Sequence, residues 1–391
     1  MTFRALIAMA KAEGASDLHL EPGLPPTLRV RSNLRPAGEP VTSAMTQEWA
    51  REIIAPDEWP QFEQRRSVDF SRKMEGARCR FNVFYTSRGI GFAVRLLPAS
   101  SPTIEALNLL PDLKNLVKHS TGLVLISGPT GCGKSTTLAS LIQTINLSEA
   151  RHIVTIENPI EFTFRPQRSF IRQREVGRDT PSFEQALLDS LREDPDVLMV
   201  GEMRDPETMR LTLTAAETGH LVLATVHSSN CAEALQRVVG AFPAEIQNNV
   251  AAQLADCLIG VVSQRLQFRP TLNICVPECE VLMATLPIRN YIRTREFFKI
   301  ITSLETGAEF GMWTFQRYRS WIDKRANFNF QARDVEVEED EPTPTKLPSS
   351  SITTPTRPAT AAQPQRIASP DSSRIEIEPT EIFERILKRP S

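Results

Sequence analysis

The sequence predicts an α/β fold, a phosphate-loop domain built on a parallel sheet and preceded by a small α+β domain. Three observations carry this. The run Gly128-Pro129-Thr130-Gly131-Cys132-Gly133-Lys134-Ser135 fits G-x-x-x-x-G-K-[ST], follows the apolar stretch 123–126 and precedes the helix-competent stretch 136–145. Beyond it, β-branched runs alternate with helical periodicities, the pattern of a parallel sheet whose ligand site lies past the strand carboxyl ends. Before it, the first hundred residues hold short strand-like runs between Gly- and Pro-containing turns.

At 391 residues the chain is long enough for two domains with cores of their own. Lys and Arg total 45 against 47 Asp and Glu, so there is no global basic field and nucleic acid is not an expected partner. Six cysteines are scattered and one lies inside the phosphate loop, which argues against a disulfide framework and for a reducing, cytoplasmic setting. Cys275 and Cys279 form the one close pair. Zinc would want a second pair, so these read as buried or idle thiols. No apolar run approaches the ~18 residues that span a bilayer, and the N-terminus lacks a hydrophobic leader core, so any membrane association is expected to be peripheral.

In chain order, residues 2–13 carry a helical apolar face (Phe3, Leu6, Ile7, Ala10) stopped by Gly14. Strands are expected at 16–20 and 27–30, a helix at 45–54, then strands at 68–70, 77–85 and 91–96. The Pro- and Ser-bearing segment 98–102 marks a boundary, giving domains 1–100 and 101–333. In the second domain, strands are expected at 123–126, 152–156, 197–200 and 221–226. A helix follows the phosphate loop, another begins after Thr180 or Ser182, and a third runs from Asp205-Pro206 to Gly219. Residues 232–321 read as mainly helical. From 334 to 391 an acidic run and a Pro/Ser/Thr-rich stretch predict a disordered tail. Ile382, Phe383, Ile386 and Leu387 could form a short terminal helix that docks on a partner or simply frays.

The chemistry gathers at strand ends. Backbone N–H groups of the loop, from Gly128 through Thr136, would cradle phosphates, Lys134 would reach the β- and γ-phosphates, and the Ser135 hydroxyl would ligate Mg²⁺. Glu157, just past a strand, could take a proton from water, or be a loop acid in solvent. Glu202 follows the hydrophobic strand 197–200, where an acid near the metal is expected, with Gly201 standing where an Asp often sits. His227 ends the strand 221–226 and could touch the γ-phosphate or the attacking water; His220 has a similar but geometrically weaker claim. Arg78, Arg80 and Arg95 lie on first-domain strands. They are either solvated or arginine fingers presented to a neighbouring subunit's nucleotide.

Together these residues resemble the PilT-type secretion ATPases, the hexameric motors of type IV pili within the wider type II and type IV secretion ATPase superfamily. The resemblance covers most of residues 1–330. It rests on Ala15-Ser16-Asp17-Leu18-His19-Leu20, the phosphate loop, the acidic box 155–161, Arg174-Glu175-Val176-Gly177 and Arg192-Glu193-Asp194-Pro195-Asp196. Further on it includes Gly201-Glu202-Met203-Arg204-Asp205, Thr218-Gly219-His220, Thr225-Val226-His227-Ser228 and Pro287-Ile288-Arg289-Asn290. It implies a PAS-like N-terminal domain, a RecA-like ATPase domain, ATP and Mg²⁺ as cofactors and a homo-hexamer. In the family's terms Glu157 activates water, Glu202 assists the magnesium site, His220 and His227 form the histidine box, and Arg78, Arg80 and Arg95 are the N-domain arginines. Two departures stand out: Asn158 replaces the family's usual Asp, and Arg31-Ser32-Asn33 replaces an Asp-Gly type turn. The four-cysteine module and extra N-terminal domain of pilus-extension and type II ATPases are missing. The expectation is therefore a retraction motor pulling on an inner-membrane platform protein, with a paralogous motor as a further candidate partner. The alternatives are a motor of a related secretion or DNA-transfer system and a weakly hydrolysing accessory subunit.

Overall fold

The computed structural model describes residues 2–30, 33–97, 101–270, 274–325 and 327–329, all within one compact unit. The expected tail with its terminal helix, Arg31-Ser32 and most of the boundary segment lie outside the described residues.

The first sheet is antiparallel. Helix α1 (Phe3–Ala12) starts where the Thr2 hydroxyl accepts from the Ala5 N–H, and it buries Phe3, Leu6, Ile7 and Ala10. Strands β1 (Asp17–Leu20), β2 (Thr27–Val30) and β3 (Asn33–Pro36) follow. Next come helices α2 (Ser43–Ile53) and α3 (Trp59–Arg65), then β4 (Ser67–Met74), β5 (Ala77–Thr86) and β6 (Gly89–Leu97). The strand order is β3-β2-β1-β6-β5-β4. Along β5, Ala77, Cys79, Phe81 and Val83 are buried, with Phe81 packing on Phe3 of α1, so the intervening Arg78 and Arg80 occupy the opposite face. Strand β3 and helix α3 were not expected; both are short, and neither has a long periodic pattern to announce it.

The second sheet is parallel through six strands. It comprises β7 (Gly122–Ser127), α4 (Lys134–Ser148), β8 (His152–Glu157), β9 (Phe170–Glu175), α5 (Phe183–Ser190), β10 (Val197–Val200), α6 (Pro206–Glu217) and β11 (Leu221–Val226). Helices α7 (Cys231–Gly240) and α8 (Gln247–Cys257) lead to β12 (Leu258–Arg269) and β13 (Ile274–Met283). Helices α9 (Leu286–Arg293), α10 (Ile300–Thr306) and α11 (Phe315–Asp323) follow. The order is β13-β12-β7-β11-β10-β8-β9, with β13 antiparallel to β12. Every residue of β7, β10 and β11 is buried because helices cover both faces: Leu123 and Leu125 face one apolar cluster, Val124 and Ile126 the other.

The mainly helical reading of 232–321 needs correction. Residues 258–283 form a long antiparallel hairpin, and β12 continues the parallel sheet beside β7, with Ser263 opposite Ser127. A continuous run such as Leu258-Ile259-Gly260-Val261-Val262 fits a strand buried on both faces as well as a buried helix, and periodicity alone cannot separate them. Of the two candidate caps for α5, Ser182 takes the role, accepting from the Gln185 N–H. Strand β9, at the edge, was also unanticipated; its Phe170-Ile171-Arg172-Gln173-Arg174-Glu175 has only weak apolar alternation.

Candidate active site at the carboxyl edge of the second sheet

The phosphate loop leaves β7 at Gly128, whose φ of 147° belongs to glycine. A Cβ there would drive into the backbone carbonyl of Gln264 and the Cys132 sulfur. Gln264, buried on β12, also holds the other end of the loop: its Nε2 donates to the Cys132 carbonyl (2.5 Å) and its Oε1 accepts from Thr137 Oγ1 (2.6 Å). Strand β12 thus moulds the loop from beside it. Sequence reasoning missed Gln264 because its stretch was assigned to helix.

Lys134 opens α4 and is buried. Its ammonium donates to the carbonyls of Gly128 (2.9 Å) and Pro129 (3.1 Å) and lies 3.3 Å from His227 Nδ1. Burial lowers its proton affinity below that of an ordinary lysine, so a nearby anion would stabilise its charge. His227, at the end of β11, turns Nε2 to Glu202 Oε1 at 2.7 Å, and Glu202 also accepts from Arg204 at 2.6 Å. Burial pushes the Glu202 carboxyl up, but Arg204 and His227 outweigh it and hold it below the usual range. Lys134 and Glu202 thus face opposite nitrogens of the His227 ring. Three strand ends, those of β7, β10 and β11, are linked in this way.

Glu157 ends β8 and is buried, which excludes the solvent-acid reading. Its Oε1 accepts from Thr155 Oγ1 (2.7 Å) and Gln173 Nε2 (3.1 Å), yet burial dominates and raises its pKa to about 7. That is the poise of a general base at neutral pH. Four residues on, Glu161 sits in the fields of Arg80, Arg95 and Lys134, although burial still raises its pKa. Glu161 is the third acid of this site, left unassigned by sequence reasoning despite its place in the acidic box; only the turn at 158–160 brings its charge near Lys134. Ser135, Glu161 and Glu202 offer the hard oxygen donors that Mg²⁺ would take together with substrate phosphates.

The arginines divide. Arg80 is held by Asp69 (2.6 Å) and Arg95 by Asp17 (2.9 Å), directly opposite each other on β5 and β6, and both act on Glu161 of the same chain. Within the chain both are paired with first-domain acids and lie in reach of Glu161, and neither is free in solvent. Arg78 instead bonds the Ile160 carbonyl and Glu175. His220 is not brought to the site within the chain. It precedes β11, next to Gly122 at the amino end of β7, with Nδ1 on the Ala215 carbonyl (2.9 Å). Six strand residues at ~3.3 Å each separate it from His227, a distance legible in the sequence once 221–226 is taken as a strand. Thr130 and Gly131 are exposed at the loop crown, and Asn158 is exposed as well. All six cysteines are free thiols; Cys275 is exposed and burial pushes Cys279 up to about 12, in keeping with structural or idle roles.

Strand ends that surround a phosphate loop with a near-neutral buried acid and a His–Glu pair define a P-loop nucleoside triphosphatase. The family model described as type II/IV secretion system protein matches residues 2–295, and the chain belongs to that family as a PilT-type ATPase. It is 41% identical to the type IV pilus retraction ATPase PilT of Pseudomonas aeruginosa over 316 residues, 80% of this chain and 92% of that one. It is 36% identical to the type IV pilus ATPase PilU of the same organism, covering 81% and 84%. The crystal structure of the pilus retraction motor PilT with bound ADP superposes with a TM-score of 0.74 at 37% identity, over 82% of this chain and 96% of that one.

Proposed function

We propose that this protein is the Mg²⁺-dependent ATPase subunit of a homo-hexameric motor that retracts a type IV pilus, working from the cytoplasm on an inner-membrane platform protein. The observation that carries the reading is the Lys134–His227–Glu202 chain at the phosphate loop, with Glu161 in the field of Lys134, in a chain 41% identical to a pilus retraction ATPase. Loop amides and Lys134 bind and orient the ATP phosphates. Glu157 takes the proton of the attacking water, and His227, bridging Lys134 and Glu202, senses the γ-phosphate. Ser135, with Glu161 and Glu202, would hold Mg²⁺, which would supply positive charge to the transferred phosphoryl group. Arg80 and Arg95 bring first-domain charge to the same site, so hydrolysis is tied to the approach of the 1–100 domain to the 101–333 domain. No helix among the described residues is long and apolar enough to cross a membrane, so the pull must pass through a partner.

The likeness to PilU favours a paralogous motor as an additional partner. In the source cell, Lys134→Ala is expected to leave surface pili in place and abolish their retraction and twitching. Pili that still retract under that variant, with no second motor present, would overturn the proposal.

A further inference from the structure

One predicted nucleotide arginine is committed elsewhere. Arg78 leaves β5 with its side chain only 17% exposed and uses one edge of its guanidinium twice: Nε donates to the Ile160 carbonyl (3.1 Å) and Nη2 to Glu175 Oε2 (3.0 Å). Glu175, itself buried at the end of β9, accepts from the Ile160 N–H through the same oxygen (3.2 Å). A closed ring results, in which both polar groups of residue 160 are held by an ion pair reaching across from the first sheet. Arg178 approaches that carboxylate at 3.8 Å and stays half exposed, so it does not substitute for Arg78. Ile160 is buried and lies three residues after Glu157 and one before Glu161. The base of this loop is fixed independently, since Glu157 pairs with Glu175 in the sheet and its carbonyl accepts from the Val176 N–H (2.8 Å). What remains to be seated is the segment 158–161, and Arg78 seats it.

We propose that Arg78 is a positioning residue that locks the acid loop in its working geometry from the first sheet, through Ile160 and Glu175, and is not a nucleotide ligand. A planar guanidinium can satisfy a carbonyl and a carboxylate along one edge at once; an ammonium cannot. Separating the two sheets must break this ring and release the segment 158–161 that carries Glu161. Hydrolysis-competent geometry therefore exists only while the sheets are docked. The proposal rests on the reading of the 157–161 loop as the hydrolytic one.

The test measures ATP turnover and affinity for a fluorescent ADP in the full-length assembly for Arg78→Gln, Glu175→Gln and the double variant, with Glu157→Gln in parallel. Each single change is expected to lower kcat by about 10- to 100-fold, the scale of a small misplacement of catalytic groups, while ADP affinity stays within about threefold. The double variant is expected to be no worse than the poorer single one, because both break the same ring. Normal turnover in Glu175→Gln, multiplying effects in the double, or loss of ADP affinity with kcat preserved in Arg78→Gln would each overturn the proposal and return Arg78 to the nucleotide. If Arg78→Gln does not fold, Arg78→Lys keeps charge beside Glu175 but gives up one arm, and a wild-type kcat for it would overturn the proposal equally. Normal turnover in Glu157→Gln would instead sink the hydrolytic reading of the loop itself.

Discussion

The two ends of the seven-stranded sheet are made from the same strands and do different work. At the carboxyl end, Lys134, His227 and Glu202 form a chain of hydrogen-bond contacts beside the phosphate loop, and β8 ends nearby in the buried Glu157. At the amino end an open cavity of about 610 Å³ lies among His119, Glu217, Asp256, Cys257, Arg289 and Phe310. Its strongest charge, Arg289, is spent on backbone, donating to the carbonyls of Ala255, Asp256, Leu258 and Ala284. This hollow therefore carries no convergent chemistry, and the functional end is recognised by what its side chains share. Parallel strands impose this division, because every helix that follows a strand starts at the same edge.

Substitutions at the two ends should break or sharpen this contrast. The largest effect is expected from Lys134→Ala, which removes the ammonium aimed at the phosphates and should lower kcat/KM by roughly 1000-fold; steady-state ATPase assays would check it. His227→Asn, which cuts the link between Lys134 and Glu202, should cost about 100-fold in kcat. Gln264→Leu leaves the loop without its side-chain clamp and should raise KM for ATP about tenfold. His220→Asn, at the far end, should leave nucleotide affinity of the isolated subunit within about twofold, as expected of a site away from the ligand. An effect equal to that of His227→Asn in that assay would erase the distinction between the ends.

The pH response sharpens the same contrast. A base with a pKa of about 7 must be unprotonated to act, so kcat/KM should rise as pH passes through neutrality and level off above it. Stability should move the other way. The folded pKa of Glu157 lies above its unfolded value near 4.5, so the native state holds the extra proton between those values and loses stability as pH climbs through them. Glu157→Gln keeps an acceptor for Thr155 and Gln173 without the charge. It should melt higher than the wild type at pH 8, by on the order of 3 kcal/mol at most, and match it near pH 4.

Much of the parallel core was legible because its signals are local: a loop with fixed spacing, apolar strands four to six residues long, and a cap such as Asp205 before Pro206. The hairpin 258–283 was not, since a continuous apolar run carries no period. Glu157, Glu202 and His227 could be placed because each follows a strand. Glu161 and Gln264 could not, because the first depends on the shape of a turn and the second on which strand lies beside β7. Arg78 was visible as an arginine, but its partner stands 97 residues away, and no spacing rule reports that contact.

The central claim is that Glu157 activates water in a site that binds nucleotide through other groups. Parallel measurement of ADP affinity and ATP turnover in purified Glu157→Gln tests it most directly. Affinity within about threefold of wild type with turnover reduced at least about 100-fold is the expected result; turnover at the wild-type rate would contradict it.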